Sequence, residues 1–141
     1  MVVGPVPAAL SLRRAWRSPG GLLAGLAGVY LAVNAVWALA APAAFAARFG
    51  LPLASGSDDG WVLIYALRTT LLVAVLAALL LHGQLRILSA ILAVAVIVPL
   101  ADALLVWDAG ASTATVLRQA GVAVYLSVTA VLLRRGPARP H

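Results

Sequence analysis

Apolar residues fill four long stretches of this chain almost without interruption, and most polar residues are pushed into the connections between them. A helix crossing the hydrocarbon of a bilayer needs about 20 such residues, at about 1.5 Å of rise each. Four stretches meet that requirement: residues 21–41 (GLLAGLAGVYLAVNAVWALAA), 60–81 (GWVLIYALRTTLLVAVLAALLL), 85–107 (LRILSAILAVAVIVPLADALLVW) and 114–133 (ATVLRQAGVAVYLSVTAVLL). The expected fold is all-α: a polytopic membrane protein built as one antiparallel bundle of four transmembrane helices, in a single domain over residues 1–141.

The connections differ in kind. Residues 42–59 (PAAFAARFGLPLASGSDD) are long and mixed. Ala43 to Leu51 are expected to form a short interfacial helix, with Phe45 and Leu51 on one side and Arg48 on another. Pro52 is expected to end it, and SGSDDG to form a loop with capping residues ahead of the second span. The HGQ turn (His82 to Gln84) is tight, so spans two and three form a hairpin. DAGAST links spans three and four. At the N-terminus, SLRRAWRSPG before an apolar stretch resembles a signal peptide, and Ala38–Ala40 resembles a cleavage site. The stretch exceeds the usual core of about 7–15 residues, and Arg13 and Arg14 lack a twin-arginine context, so a retained first span is expected.

Composition agrees with the pattern. The chain is 64% hydrophobic with only 10% charged residues, against about 25% charged in soluble domains. All ten basic residues are Arg and all four acids are Asp, which fits the codon usage of a GC-rich bacterial genome. The pI near 11.4 does not indicate nucleic-acid binding, because the arginines flank apolar segments instead of forming one stripe. Cysteine is absent, which excludes disulfides, thiolate catalysis and cysteine metal sites. Arginine placement predicts orientation. Arg13, Arg14, Arg17, Arg86, Arg134, Arg135 and Arg139 fall on one side, expected to be cytoplasmic together with both termini, in the cell membrane. Arg48 faces Asp58, Asp59 and Asp108 on the other. Trp37, Trp61 and Trp107 lie near the outer ends of three spans, as an aromatic belt requires, and Trp16 suits the inner interface.

The candidate chemistry is the polar residues inside the spans: Asn34, Arg68, Asp102, Arg118 and Gln119. An ionisable group at the centre of a span costs about 2.5–3.5 kcal/mol on insertion scales, so such groups are expected to face one another or a wet cavity. Helical rise sets their depths below the outer ends at roughly 9 Å for Asp102, 13 Å for Arg68, 12 Å for Asn34 and 8 Å for Arg118. A shared polar chamber in the outer half is the expectation. On the same faces lie Trp61, Tyr65 and Leu72 with Arg68, and Thr69 beside them; Tyr30 and Trp37 with Asn34; Thr115, Val122, Tyr125 and Thr129 with Arg118; and Pro99 and Val106 with Asp102. Pro99 cannot donate to the carbonyl four residues earlier and is expected to kink its helix. Asp108 is expected at the rim.

YALRTT in the second span, followed by VPLADALLVW in the third, resembles a family of small four-helix membrane proteins known only as a domain of unknown function, similar in general plan to DoxX-like proteins. The family pattern has an Arg in the second helix, often followed by Asp, and Pro-x-x-Asp in the third. Arg68 and Pro99…Asp102 match it over about residues 20–135. Thr69 stands where the additional acid often occurs, so any role that needs that acid is not carried over.

Two readings follow. In the first, the protein is an intramembrane acid–base enzyme, of isomerase, cyclase or epoxide-opening type, acting on a lipophilic molecule such as a terpenoid or polyketide. Asp102 and Arg68 are then the catalytic pair. Tyr65, Asn34, Arg118, Tyr125, Trp37, Trp61 and Tyr30 bind substrate. In the second, a non-catalytic protein binds a lipid, quinone or partner subunit, and Arg68–Asp102 is a structural ion pair, which desolvation makes an unreliable stabiliser. Transport ranks below binding, because the inner stretches LLVAVLAALLL and ILSAILAVAVIV of spans two and three offer only Ser89 as a polar group. No metal or other cofactor is expected: the two histidines are remote, and one intramembrane carboxylate does not make a metal site. Expected partners are membrane lipids and the lipophilic ligand, not nucleic acid. The small residues of GLLAGLAG, with Gly21-x-x-x-Gly25, suit helix packing within one protomer or in a homo-oligomer.

Overall fold

The computed structural model describes residues 18–54 and 58–135, and among them it is entirely helical apart from turns and loops. Arg13, Arg14, Trp16, Arg17 and Arg139, which carry part of the orientation argument, lie outside the described residues. Six helices are present: α1 (Pro19–Ala40), α2 (Pro42–Phe49), α3 (Gly60–Leu81), α4 (Leu85–Ala95), α5 (Ile97–Asp108) and α6 (Thr113–Arg134). With α4 and α5 taken together, four segments are long and apolar enough to cross a membrane. This is a multi-pass membrane protein whose spans match the sequence boundaries closely.

Local chemistry explains each boundary. Ser18 caps α1 by accepting from the Gly21 N–H at 3.0 Å, and Pro19 occupies the first turn, where its missing N–H is harmless. Pro42 starts α2 in the same way, and it drives Ala41 before it out of the helical region, to φ −145° and ψ 68°. The short helix forms as expected but stops at Gly50, before Pro52. Gly50 takes φ 103°, and the Leu51 N–H reaches the Ala46 carbonyl at 3.1 Å, a Schellman closure that needs a left-handed residue. Gly83 closes α3 by the same pattern, with Gln84 donating to Leu79 at 2.8 Å, and this makes the tight hairpin turn. Ser112 caps α6, accepting from the Thr115 N–H.

The third span is broken. Its first half ends at Ala95, and Val96 stands between the two helical pieces. Pro99 is the cause: it offers no N–H to the Ala95 carbonyl, and its ring crowds that carbonyl. The next bond, from the Leu100 N–H to the Val96 carbonyl, is stretched to 3.4 Å.

The helices form a closed ring of neighbours. α1 packs on α3 and on α6, and α6 packs on both halves of the third span. The third span meets α3 through α4, next to the hairpin turn, whereas α5 leans on α6. The four spans therefore meet tightly at the hairpin end, while at the loop end α5 is held mainly by α6 and only weakly by α3. The tight end holds an apolar core drawn from all four spans: Ala24 and Ala27, Leu76 and Leu80, Leu88 and Leu92, Leu126 and Leu133. Two hydrogen bonds pin it. The Ser89 hydroxyl donates to the Ala130 carbonyl at 2.7 Å, and the Tyr125 hydroxyl donates to the Leu23 carbonyl at 2.6 Å. Gly20, Gly21, Ala24, Ala27 and Gly28 are buried within the protomer. A β-carbon at Gly20 would stand 2.8 Å from the Leu133 backbone nitrogen, so small residues are what let α1 approach α6. Large apolar residues such as Leu67, Leu71, Leu104 and Leu117 point outward and are exposed, the lipid-facing pattern of helices apolar all round.

Candidate functional site

At the loop end, α2 lies across α1 and α3 on a bed of aromatic rings. Phe45 is buried; its ring meets Trp37 edge-on at 5.8 Å and Tyr65 at 4.8 Å. Phe49 adds contacts to Trp61 and Tyr65, both at 5.6 Å. The guanidinium of Arg48 sits over the Trp37 ring at 5.3 Å, a cation–π contact at the membrane margin. The exit of α2 is held from two sides. A β-carbon on Gly50 would come within 2.9 Å of the Thr115 methyl and 3.1 Å of Ala111, so this corner closes against the start of α6. Arg118 donates to the Arg48 carbonyl, placing a cation at the carbonyl end of α2, where the helix dipole favours it.

Asp102 lies on α5, half-buried, three residues beyond Pro99. Across the gap on α3 stand Tyr65, Arg68 and Thr69. The Arg68 guanidinium lies 5.9 Å from the centre of the Tyr65 ring and within electrostatic range of Asp102. The Tyr65 hydroxyl reaches buried Thr69 and lies within electrostatic range of Tyr30, Asp102 and Arg68. One acid, one cation and three hydroxyls from α1, α3 and α5 thus share one neighbourhood where α3 and α5 part.

Among the described residues no salt bridge within 4.0 Å joins Arg68 and Asp102, and Arg68 is exposed. The group lies between α3 and α5, where α5 packs mainly on α6 and only weakly on α3.

The other candidate residues separate by position. Tyr30, Tyr65, Arg68 and Asp102 come together. Asn34 donates to the Tyr30 carbonyl of its own helix at 2.7 Å, so it neighbours the group without reaching across. Arg118 is engaged by α2. Tyr125 lies in the hairpin half, bound to Leu23, because its place on the face of Arg118 is nearly two turns deeper. Trp37 and Trp61 are half-buried in the aromatic bed, while Trp107 is 65% exposed and alone of the three stands as a lipid-facing belt residue. Sequence reasoning overlooked Phe49 and the role of Thr69. The i, i+4 spacing of Phe45 and Phe49 was the available signal for the first, and the same spacing of Tyr65 and Thr69 on α3 was the signal for the second.

A family model described as a domain of unknown function (DUF4267) matches residues 25–133, most of the chain and all four spans. No curated protein and no solved structure matches it. The chain belongs to this family.

Proposed function

We propose that this member of the family is an intramembrane acid–base enzyme for a lipophilic small molecule, with Asp102 as the proton-transferring group and Arg68 as its electrostatic partner. The observation that supports it is a half-buried carboxylate in a membrane span with no ion-pair or hydrogen-bond partner among the described residues, near the Arg68 guanidinium, which lies 5.9 Å from the centre of the Tyr65 ring. A purely structural acid would be expected to be paired, because an isolated charge inside a span costs several kcal/mol. Because α5 packs only weakly on α3, the proposed site is a cleft between them, which a hydrocarbon ligand enters from the bilayer without crossing water. Its polar end meets Asp102, Arg68, Tyr65 and Tyr30. Arg68 supports a developing negative charge on the ligand oxygen, and Asp102 gives or takes the proton. This chemistry suits isomerisation, epoxide opening or cyclisation of a terpenoid or polyketide skeleton. The protein sits in the cell membrane with both ends cytoplasmic, as its flanking arginines direct.

The test uses the purified full chain in nanodiscs, incubated in deuterated water with the lipophilic extract of its native membranes. With the wild type, at least one extracted compound gains deuterium at carbon or changes its skeleton. Asp102→Asn abolishes that change while the variant keeps its fold and still retains the compound. Retention of a compound by both proteins with no labelling by either would replace catalysis by plain ligand binding. Equal labelling by both would remove Asp102 from the mechanism.

A further inference from the structure

A second feature lies at the opposite end of the molecule, independent of the Asp102 cleft. The break at Val96 leaves a groove between the third span and α6, about 220 Å³ in volume, lined by Ala93, Val96, Ser127, Ala130, Val131 and Arg134. Its wall is hydrocarbon in effect, because the one hydroxyl there, on Ser127, is already donated to the Ala123 carbonyl at 2.9 Å. The groove runs along α6 from Ser127 to Arg134, about 10 Å at helical rise, and ends at the membrane margin in a guanidinium. On α4, Arg86 stands seven residues before Ala93, two helical turns, so it shares the stripe that lines the groove. Arg134 stands seven residues after Ser127 in the same relation. Arg134 lines the groove itself; α4 and α6 pack together, so the start of α4 with Arg86 lies at the same end of the bundle, and both arginines are exposed.

We infer that this groove is a binding site for an anionic glycerophospholipid. One acyl chain lies between Ala93, Val96 and Val131, and the phosphate lies between Arg86 and Arg134. The occupant follows from charge complementarity: a mostly apolar groove with Arg134 in its lining, and with Arg86 two helical turns from Ala93 on the stripe that lines it, matches a hydrocarbon chain ending in an anion. A neutral zwitterionic lipid fits the groove but gains less at the mouth. A second copy of this chain would have to bring an acidic residue to that level, and the four acids all lie elsewhere, in the loop end or at Asp102.

Native mass spectrometry of the full chain, released from micelles carrying equal phosphatidylglycerol and phosphatidylcholine, tests this directly. The wild type is expected to keep one phosphatidylglycerol in preference. Each of Arg86→Gln and Arg134→Gln lowers that preference about fivefold, equivalent to about 1 kcal/mol for each cation at a membrane surface. Arg134→Lys keeps most of it. Ala93→Phe fills the groove and lowers retention of both lipids. Inorganic phosphate competes weakly if the acyl chain supplies much of the binding; competition as strong as by the lipid would reduce the site to an anion site and overturn the proposal. Equal retention of the two lipids by the wild type, or an undiminished preference in the double Arg→Gln variant, would overturn it as well. So would a dimer that Ala93→Phe dissociates.

Discussion

The partners of single residues separate those that hold this bundle together from those that do not. Ser89 and Tyr125 each bridge two spans through a backbone carbonyl, at 2.7 and 2.6 Å. Interhelical bonds of this kind contribute about 0.6 kcal/mol on average and up to about 1.7. Ser89→Ala and Tyr125→Phe are each expected to lower the unfolding free energy in mixed micelles by an amount in that range, as followed by tryptophan fluorescence. Asp102 has no such partner among the described residues. Asp102→Asn is therefore expected to leave stability unchanged or raise it, since removing an unpaired charge relieves its desolvation cost. A marked loss of stability in that variant would mean that the acid is structural after all. The contrast between Arg68 and Arg118 carries the same lesson. Both are arginines inside spans, at comparable depth, and helical spacing treats them alike; one faces the cleft and the other reaches the carbonyl end of α2.

At the scale of elements, two devices shape the loop end. The first is α2, a short helix begun by Pro42, closed by Gly50 and bedded on aromatic rings. The second is the break in the third span. Pro99 separates α4 from α5, and the two pieces then serve different neighbours, since α4 reaches α3 while α5 stays with α6. Pro99→Ala restores the missing N–H and is expected to straighten the span and bring α5 closer to α3. The chain has no cysteine, so spin labels on Leu67→Cys and Leu104→Cys, both lipid-exposed positions, report this distance cleanly. The distance is expected to change in the Pro99→Ala background. An unchanged distance would mean that packing against α6, not the proline, holds the cleft open.

For the whole molecule, four spans put the described ends, Ser18 and Arg135, on the same face of the membrane as the hairpin turn. On the arginine distribution, we propose that this face is the cytoplasmic one. Reporters fused at the C-terminus and inserted at residues 55–57 are expected to give opposite answers, with a cytoplasmic reporter active only at the C-terminus. Activity of a periplasmic-type reporter at the C-terminus would invert the topology. Apolar runs of about 20 residues admit one structural solution in a bilayer, because every backbone N–H and carbonyl must be paired within its own segment. That is why spans, turns and bundle class were legible along the chain, and why Pro42, Pro99 and the capping serines could be read locally. The depth of Asp102 and Arg68 was legible for the same reason, since rise per residue is constant. Their mutual arrangement was not. Side chains of one face at one depth meet only if their helices are neighbours and stay together along their length, and this depends on packing among many surfaces of nearly equal hydrophobicity. The sequence by itself determined a four-span membrane bundle with a costly acid and cation at one level. Only the tertiary structure decided that α5 sides with α6, that Arg118 is taken by α2 and Tyr125 by α1, and that Asp102 is half-buried with no salt-bridge or hydrogen-bond partner among the described residues.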